Sequence, residues 1–175
     1  MMQLAARFLF DRTAAAAAEM ALLLPLLVVL MFGGMEAGNY FWNAHKVVKA
    51  VRDGSRYAAR LPFSIYSCGG SDRVDAAAVN DAAALTRIKN VTRTGSPDAS
   101  KPPMVPNWTN AQVSVVSLAC NAAGTKTGIF EDRTDGAYRL RVIASANYSP
   151  LFSQLGFSTA TIGLRASSES VVMGL

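Results

Sequence analysis

Residues 14–35 read AAAAAEMALLLPLLVVLMFGGM, and Glu19 is the only charged residue among them. An α-helix of this length spans roughly 33 Å, which is enough to cross a hydrocarbon core of about 30 Å. Helix is expected because a helix satisfies its own backbone hydrogen bonds in lipid. We therefore predict a membrane-spanning helix over residues 15–38. Its apolar surface includes Met20, Leu22, Leu26, Val29 and Phe32. A carboxylate at mid-membrane costs about 3 kcal/mol, so Glu19 is expected to have a function.

Composition and charge narrow the class of protein. The chain has 175 residues, and the part beyond the anchor is large enough for one domain of ordinary size. The apolar content of 51% is high for a soluble protein, and the membrane helix accounts for the excess. The net charge is +5, from 17 Lys and Arg against 12 Asp and Glu, and like charges form no long run. Such a surface suits anionic lipid or cell-surface polymers better than nucleic acid.

Residues 39–61 continue the helix with an amphipathic pattern that should end at Pro62. Small or apolar residues recur at alternating spacings of four and three, which predicts a stripe that packs on a domain. The stripe consists of Ala37, Phe41, Ala44, Val48, Val51, Ser55 and Ala58. An interfacial aromatic belt is expected at Tyr40, Phe41 and Trp42. Gly54 should weaken the helix by about 1 kcal/mol.

Three kinds of N-terminal segment fit residues 1–35. A cleaved secretory signal has a similar order of residues, but Glu19 interrupts the apolar run and residues 35–38 are a poor cleavage site. A plain signal anchor leaves Glu19 without a role. A prepilin signature, with a basic residue and small residues before a glutamate and a long apolar run, includes Glu19. Residues 1–14 are expected to form a cytoplasmic leader, because so short a tail stays inside while the longer part crosses.

Residues 62–175 are predicted to form an α+β domain outside the membrane. Residues 73–89 are rich in alanine, and we predict a second helix there, with Asp72 able to cap it. One side of this helix holds Val74, Ala78, Leu85 and Ile88. Four prolines mark residues 92–108 as a loop.

Period-two alternation predicts the sheet of this domain. Strands are expected at residues 112–120, 137–148 and 159–172, joined before the last strand by a connection at 149–157. A further short strand is expected at 128–130, with a hairpin turn at Asp135 and Gly136. Inward positions of the later strands are Leu140, Val142, Ala144, Ala146 and Tyr148, then Ala160, Ile162, Leu164 and Ala166. A sheet with one apolar face needs a cover, so the long helix should pack on an antiparallel sheet.

The two cysteines, Cys68 and Cys120, both lie beyond the anchor. If that side of the membrane is oxidising, they can form a disulfide that stabilises the domain by about 4 kcal/mol in the chain-entropy model. Two unrelated buried thiols are the alternative. Neither a CxxC motif nor a cluster with metal-ligand spacing is present in the sequence.

The sequence does not assemble a catalytic, metal or cofactor site. His45 is the only histidine, and it lies on the anchor helix, which is a poor scaffold for a catalytic triad. An acidic turn at 131–135 lacks the spacing of a calcium loop, so an exposed hairpin is the simpler interpretation. An enzyme domain on a tether would need a site among Asp72, Glu131, Asp132 and Asp135. We predict no enzyme activity, no metal and no cofactor.

The combined run over residues 19–62, EMALLLPLLVVLMFGGMEAGNYFWNAHKVVKAVRDGSRYAARLP, resembles the TadE-like family of the tight-adherence (Flp) pilus. Family members share a glutamate in an alanine- and leucine-rich run, a G-x-x-E-x-G step, an aromatic stretch and an A-R-x-G-A-R-like end. The matching positions are Glu19, Ala21, Pro25, Gly33, Glu36, Gly38, Asp53, Gly54, Arg56, Tyr57 and Ala58, with Arg12 as the preceding basic residue. The resemblance covers residues 12–62 well and the rest only in outline.

The resemblance implies how the chain is processed and what it contacts. A prepilin peptidase would cut between Ala14 and Ala15, although the family usually has glycine before the cut, and Glu19 would become the fifth mature residue. Glu19 would then form an ion pair with a neighbouring subunit's N-terminal amine, while Pro25 kinks the helix for packing. The implied partners are other pilins and minor pilins, the prepilin peptidase and the inner-membrane assembly platform. Nucleic acid is not among them.

The resulting hypothesis is a minor pilin or pilus-assembly protein of a tight-adherence type IV pilus. It would be a single-pass protein of the bacterial inner membrane, with a cytoplasmic N-terminus and a periplasmic domain of pilin-like layout. After processing it could join an extracellular pilus. The alternative is a permanently anchored, uncleaved scaffold of a periplasmic envelope complex.

Overall fold

The computed structural model describes residues 12–120, 126–133, 136–155 and 162–174. Helix α1 covers Arg12–Ala59, which confirms the predicted long helix and its end just before Pro62. The chain divides into two compact units, Met1–Tyr40 and Phe41–Leu175, so α1 contributes to both.

In the second unit, α1 buries a stripe that is rotated from the predicted one. Buried positions are Asn43, Val47, Ala50, Val51, Gly54, Ser55, Ala58 and Ala59. The prediction was correct at Val51, Ser55 and Ala58, but Phe41 is 61% exposed and Val48 is only partly covered. The stripe is centred on Val47, Ala50 and Gly54 because small residues there allow other elements to approach the helix closely.

Helix α2 covers Ala82–Thr94, so the predicted second helix begins too early at residue 73. Asp81 is its N-cap, and one carboxylate oxygen accepts hydrogen bonds from the backbone N–H groups of Ala83 and Ala84 at 2.8 and 3.2 Å. Asp72, the predicted cap, instead accepts a hydrogen bond from the backbone N–H of Ala119 at 2.9 Å. The helix ends at Gly95, whose φ of 76° gives the left-handed conformation that favours glycine.

The residues before α2 form a two-residue strand and then a turn of 3-10 helix, Asp75–Ala77. Strand β1 is Arg73–Val74, and Asp75 follows it with a φ of 48°, which a helix interior does not tolerate. One Asp75 oxygen accepts the backbone N–H of Val115 at 2.9 Å, and the other pairs with the Lys89 ammonium at 2.9 Å. A single carboxylate therefore binds this turn both to Val115 and to α2.

The described strands form a four-stranded antiparallel sheet in the order β1-β2-β3-β4. Strand β2 is Val113–Ser117, β3 is Arg139–Asn147 and β4 is Gly163–Val171. The predicted alternation of β3 is confirmed, since Leu140, Val142, Ala144 and Ala146 are buried. Together with the two helices this sheet gives the predicted α+β fold.

Helix α1 covers the inner face of β4 through polar contacts as well as apolar ones. Ser55 donates a hydrogen bond to the Ser168 hydroxyl at 3.0 Å, and Ser170 donates to the backbone carbonyl of Ser55 at 2.8 Å. The backbone N–H of Met173 donates to the carbonyl of Ala59 at 2.7 Å. These three hydrogen bonds fix the position of α1 along the length of β4.

Some local predictions of the sheet need correction, and others lie outside the described residues. Gly128–Phe130 is a turn of 3-10 helix, because three residues with a glycine at φ 58° cannot extend a ladder. The predicted hairpin position Asp135 and the predicted inward position Ala160 fall outside the described residues. Ile162, predicted to face inward, is exposed, whereas Leu164 is buried as predicted.

Candidate interaction surface on the apolar helix

The first half of α1 carries a continuous exposed apolar surface. Every side chain from residue 15 to residue 35 is exposed, and Leu22 reaches 80% exposure. This helix is long and apolar enough to cross a membrane, and it lies near the N-terminus, where a signal sequence would pass the same test. It is a candidate membrane anchor, and apolar contact with lipid or with other helices is what its surface can make.

Glu19 interrupts this surface near its start. No ion pair or hydrogen bond to Glu19 occurs within the described part of the chain, and the helix holds no acidic residue in its first turn. At about 100° per residue, Leu26 lies within about 20° of Glu19 around the helix and Val28 lies about 180° away. A partner that supplies a positive charge would therefore meet Glu19 and Leu26 together. The structure does not test the roles predicted for Glu19, Ala14 and Ala15.

Pro25 and the following glycines shape the same surface. Pro25 lies inside α1, and its missing N–H leaves the Ala21 carbonyl without the usual helical donor. An added Cβ at Gly33 or Gly34 would meet no described atom within 4 Å. The helix therefore has a smooth segment at which another helix could come close.

Of the three aromatic residues of the predicted interfacial belt, Phe41 and Trp42 are exposed and Tyr40 is half-buried. Phe41 and Trp42 are 61% and 65% exposed, and the Lys46 ammonium lies 5.7 Å from the Trp42 ring centroid. His45 is exposed as well. An indole ring next to a lysine is typical of the membrane–water boundary, where the ring meets lipid and the ammonium meets headgroups.

A disulfide between Cys68 and Cys120 joins two segments of the domain near the end of α1. Their Cα atoms are 5.7 Å apart, and the bond spans 52 residues of sequence. The backbone N–H of Cys120 also donates to the carbonyl of Gly69 at 3.3 Å. The bond links the segment after α1 to the end of β2. Its presence in the cell depends on an oxidising compartment and stays a prediction.

Tyr66 binds the segment that follows α1 to the last turn of that helix. Its hydroxyl donates a hydrogen bond of 2.5 Å to the backbone carbonyl of Ala58, which also accepts the backbone N–H of Leu61 at 3.1 Å. Burial first, and the nearby Tyr57 second, raise the pKa of the Tyr66 hydroxyl well above its ordinary value of 10.0. Tyr66 is therefore a neutral donor at physiological pH.

The acidic residues considered for an enzyme or metal site do not come together. Asp72 caps a backbone N–H group, and Glu131 and Asp132 are exposed on a turn. Within the ranges that the structure describes, no group of three His, Cys, Asp or Glu side chains is placed to hold a metal ion. Asp135 lies outside those ranges.

Comparison with known proteins gives a match that falls within α1. A family model described as TadE-like protein matches residues 14–56, so the resemblance predicted from the sequence is confirmed over this segment. No curated protein and no solved structure gives a significant match.

Proposed function

We propose that this chain is a minor pilin or pilus-assembly protein of a tight-adherence pilus. The observation that carries the proposal is the exposed apolar segment of α1 with its single acid, which lies within the TadE-like match. An exposed apolar surface of this length needs lipid or other helices around it. A carboxylate in that surface is stabilised only by a charged or polar partner, which a neighbouring pilin helix can supply.

The proposed mechanism is assembly by helix packing. Residues 15–38 anchor the chain in the bacterial inner membrane with residues 1–14 in the cytoplasm, and the α+β domain faces the oxidising periplasm, where Cys68 and Cys120 pair. A prepilin peptidase cuts between Ala14 and Ala15. The helix then moves from lipid into contact with other pilins or with the assembly platform. No catalytic residue takes part.

The role of Glu19 is tested by filament incorporation of three full-length variants. We expect Glu19→Ala and Glu19→Gln to insert into the membrane at wild-type levels but to be lost from sheared pili, because neither offers a negative charge. Leu22→Ala is the matched control, since it shortens an exposed side chain on the same segment without changing charge. Normal incorporation of Glu19→Gln would show that the carboxylate is not used.

A second candidate function, an uncleaved scaffold of a periplasmic envelope complex, is favoured by Ala14. TadE-like proteins usually have glycine before the cut, whereas this chain has alanine. The intact mass of the protein from cells with and without an active prepilin peptidase separates the two. Loss of residues 1–14 only when the peptidase is active supports the pilin proposal, and retention of Met1 in both supports the scaffold.

A further inference from the structure

We propose that a basic stripe on the exposed side of α1 binds an acidic α-helix of a different protein. The basic stripe consists of Lys49, Arg52, Arg56 and Arg60, and all four side chains are exposed. At about 100° per residue they fall within a sector of about 80° around the helix, on the side opposite the buried residue Val47. The last of the four directly follows the end of α1.

The described part of the chain does not neutralise this charge. None of the four cations makes an ion pair or a side-chain hydrogen bond with another described residue. Asp53 is the only acid in residues 45–60, and it is half-buried and lies outside the 80° sector. Like charges three and four residues apart destabilise an isolated helix. The helix dipole favours a cation in the last turn, such as Arg56, but Lys49 and Arg52 precede that turn. The stripe therefore indicates an opposite charge supplied from outside.

The spacing of the basic stripe fits a helical partner. Its members are three, four and four residues apart, which gives steps of about 4.5, 6 and 6 Å along the axis of α1. A helix alongside α1 presents a side chain at nearly the same interval, once per turn of about 5.4 Å. One face of a β-strand repeats about every 6.7 Å and falls out of step. Carboxylates spaced three and four residues apart on a partner helix can each meet one cation.

The helices of a second copy do not supply such a row of carboxylates. The acids of α1 are Glu19, Glu36 and Asp53, which are several turns apart and do not share a face. Helix α2 contains no acid between its first and last residue. Two basic stripes placed side by side would repel each other. The charge pattern therefore favours association with a different protein over self-association through this face.

Anionic lipid is the other ligand that a basic helix face suits, but the length of the stripe disfavours it. Arg52 lies about 15 Å and Arg60 about 27 Å along α1 from Trp42, which belongs to the predicted interfacial belt. The headgroup layer on one side of a bilayer is only about 5–8 Å thick. Headgroups at that belt therefore account for the first cation at most. The inference applies to a pilus subunit and to an uncleaved scaffold alike.

Photo-crosslinking of the full chain in cells tests the identity of the partner. His45 is exposed and lies in the same sector, so a photo-crosslinking amino acid at position 45 leaves all four cations in place. We expect a product with a different protein, joined within a helix that carries Asp or Glu at spacings of three and four. Position 74, where Val74 is 52% exposed on β1, is the control and should not give this product. A bond to a second copy, to lipid alone or to a segment without acids would overturn the proposal, as would the absence of any product.

Charge reversal in the same background tests whether the cations hold the partner. Lys49→Glu combined with Arg52→Glu should lower the cross-linked fraction from position 45 by about tenfold, and the corresponding Gln pair should lower it less. Lys101→Glu combined with Arg165→Glu is the matched control, since it makes the same change of net charge at exposed positions outside α1. It should leave the fraction unchanged. All of these positions are exposed, so the thermal midpoint of each variant is expected to match that of its parent. An unchanged fraction after reversal in the stripe, or an equal loss in the control, contradicts the proposal.

Discussion

Replacing Gly54 with alanine tests whether α1 and α2 are in close contact. A Cβ at position 54 would fall on the Thr92 hydroxyl and lie 3.0 Å from Thr92 Cβ, which is closer than ordinary van der Waals contact. Thr92 cannot move freely, because it is fully buried and its hydroxyl donates a hydrogen bond of 2.9 Å to the carbonyl of Ile88. The sequence alone presents Gly54 as a weakness in a helix. In the structure, glycine is the residue that this close approach allows.

The expected loss of stability is the balance of two effects. Alanine is about 1 kcal/mol better than glycine in a helix interior. Overpacking a buried contact costs about 1–3 kcal/mol, and displacing the Thr92 hydroxyl endangers a hydrogen bond that contributes about 1 kcal/mol. The domain should therefore lose about 1–2 kcal/mol, which lowers its Tm by roughly 5 °C. A Tm at or above that of the unmodified chain would refute the proposed contact.

The assay is thermal unfolding of the full chain in detergent micelles, followed by near-ultraviolet circular dichroism of buried aromatic residues such as Trp108. Gly33→Ala is the matched control, since its Cβ meets no described atom and only the helix propensity changes. It should leave the Tm of the domain unchanged. In a Thr92→Ala background, the effect of Gly54→Ala should shrink, because the hydroxyl with which it collides is gone.

Two further predictions concern the segment after α1. Thiol labelling of the full chain from membranes should modify neither Cys68 nor Cys120 until a reductant is added, and labelling without reductant would show that they do not pair. Stability should fall as pH rises above 10, because Tyr66 keeps its proton more tightly in the folded state and loses its bond to Ala58 when it ionises. Tyr66→Phe should be about 1 kcal/mol less stable at neutral pH and should show a weaker decline in alkali. An equal decline in both proteins, measured by chemical unfolding, contradicts this role.

The elements that could be predicted from the sequence are those that depend on local pattern. Residues 14–35 specify an apolar helix by composition, and Pro62 marks its end. The alternation in β3 is equally local, and its buried positions are as predicted. The features that resemble the TadE-like family fall in the same segment, and the family model matches there, over residues 14–56.

The features that could not be predicted depend on contacts between distant residues. The buried stripe of α1 includes Gly54 because the approach of Thr92 selects a small residue at position 54, and hydropathy does not report such fit. Residues 73–74 have a composition that also suits a helix, but pairing with β2 makes them a strand. The contact of Arg133 with Phe63 could not be predicted either, because the two residues are far apart in the sequence. The Arg133 guanidinium lies 3.8 Å from the Phe63 ring centroid.

The central claim is that the face of α1 around Glu19 contacts other helices. A photo-crosslinking amino acid at position 26, within about 20° of Glu19 around the helix, tests it most directly when compared with position 28 on the opposite face. In cells that assemble the pilus, we predict a cross-link from position 26 to a pilin that disappears in Glu19→Ala, and a weaker, Glu19-independent product from position 28. Attachment to lipid alone at both positions would contradict the account.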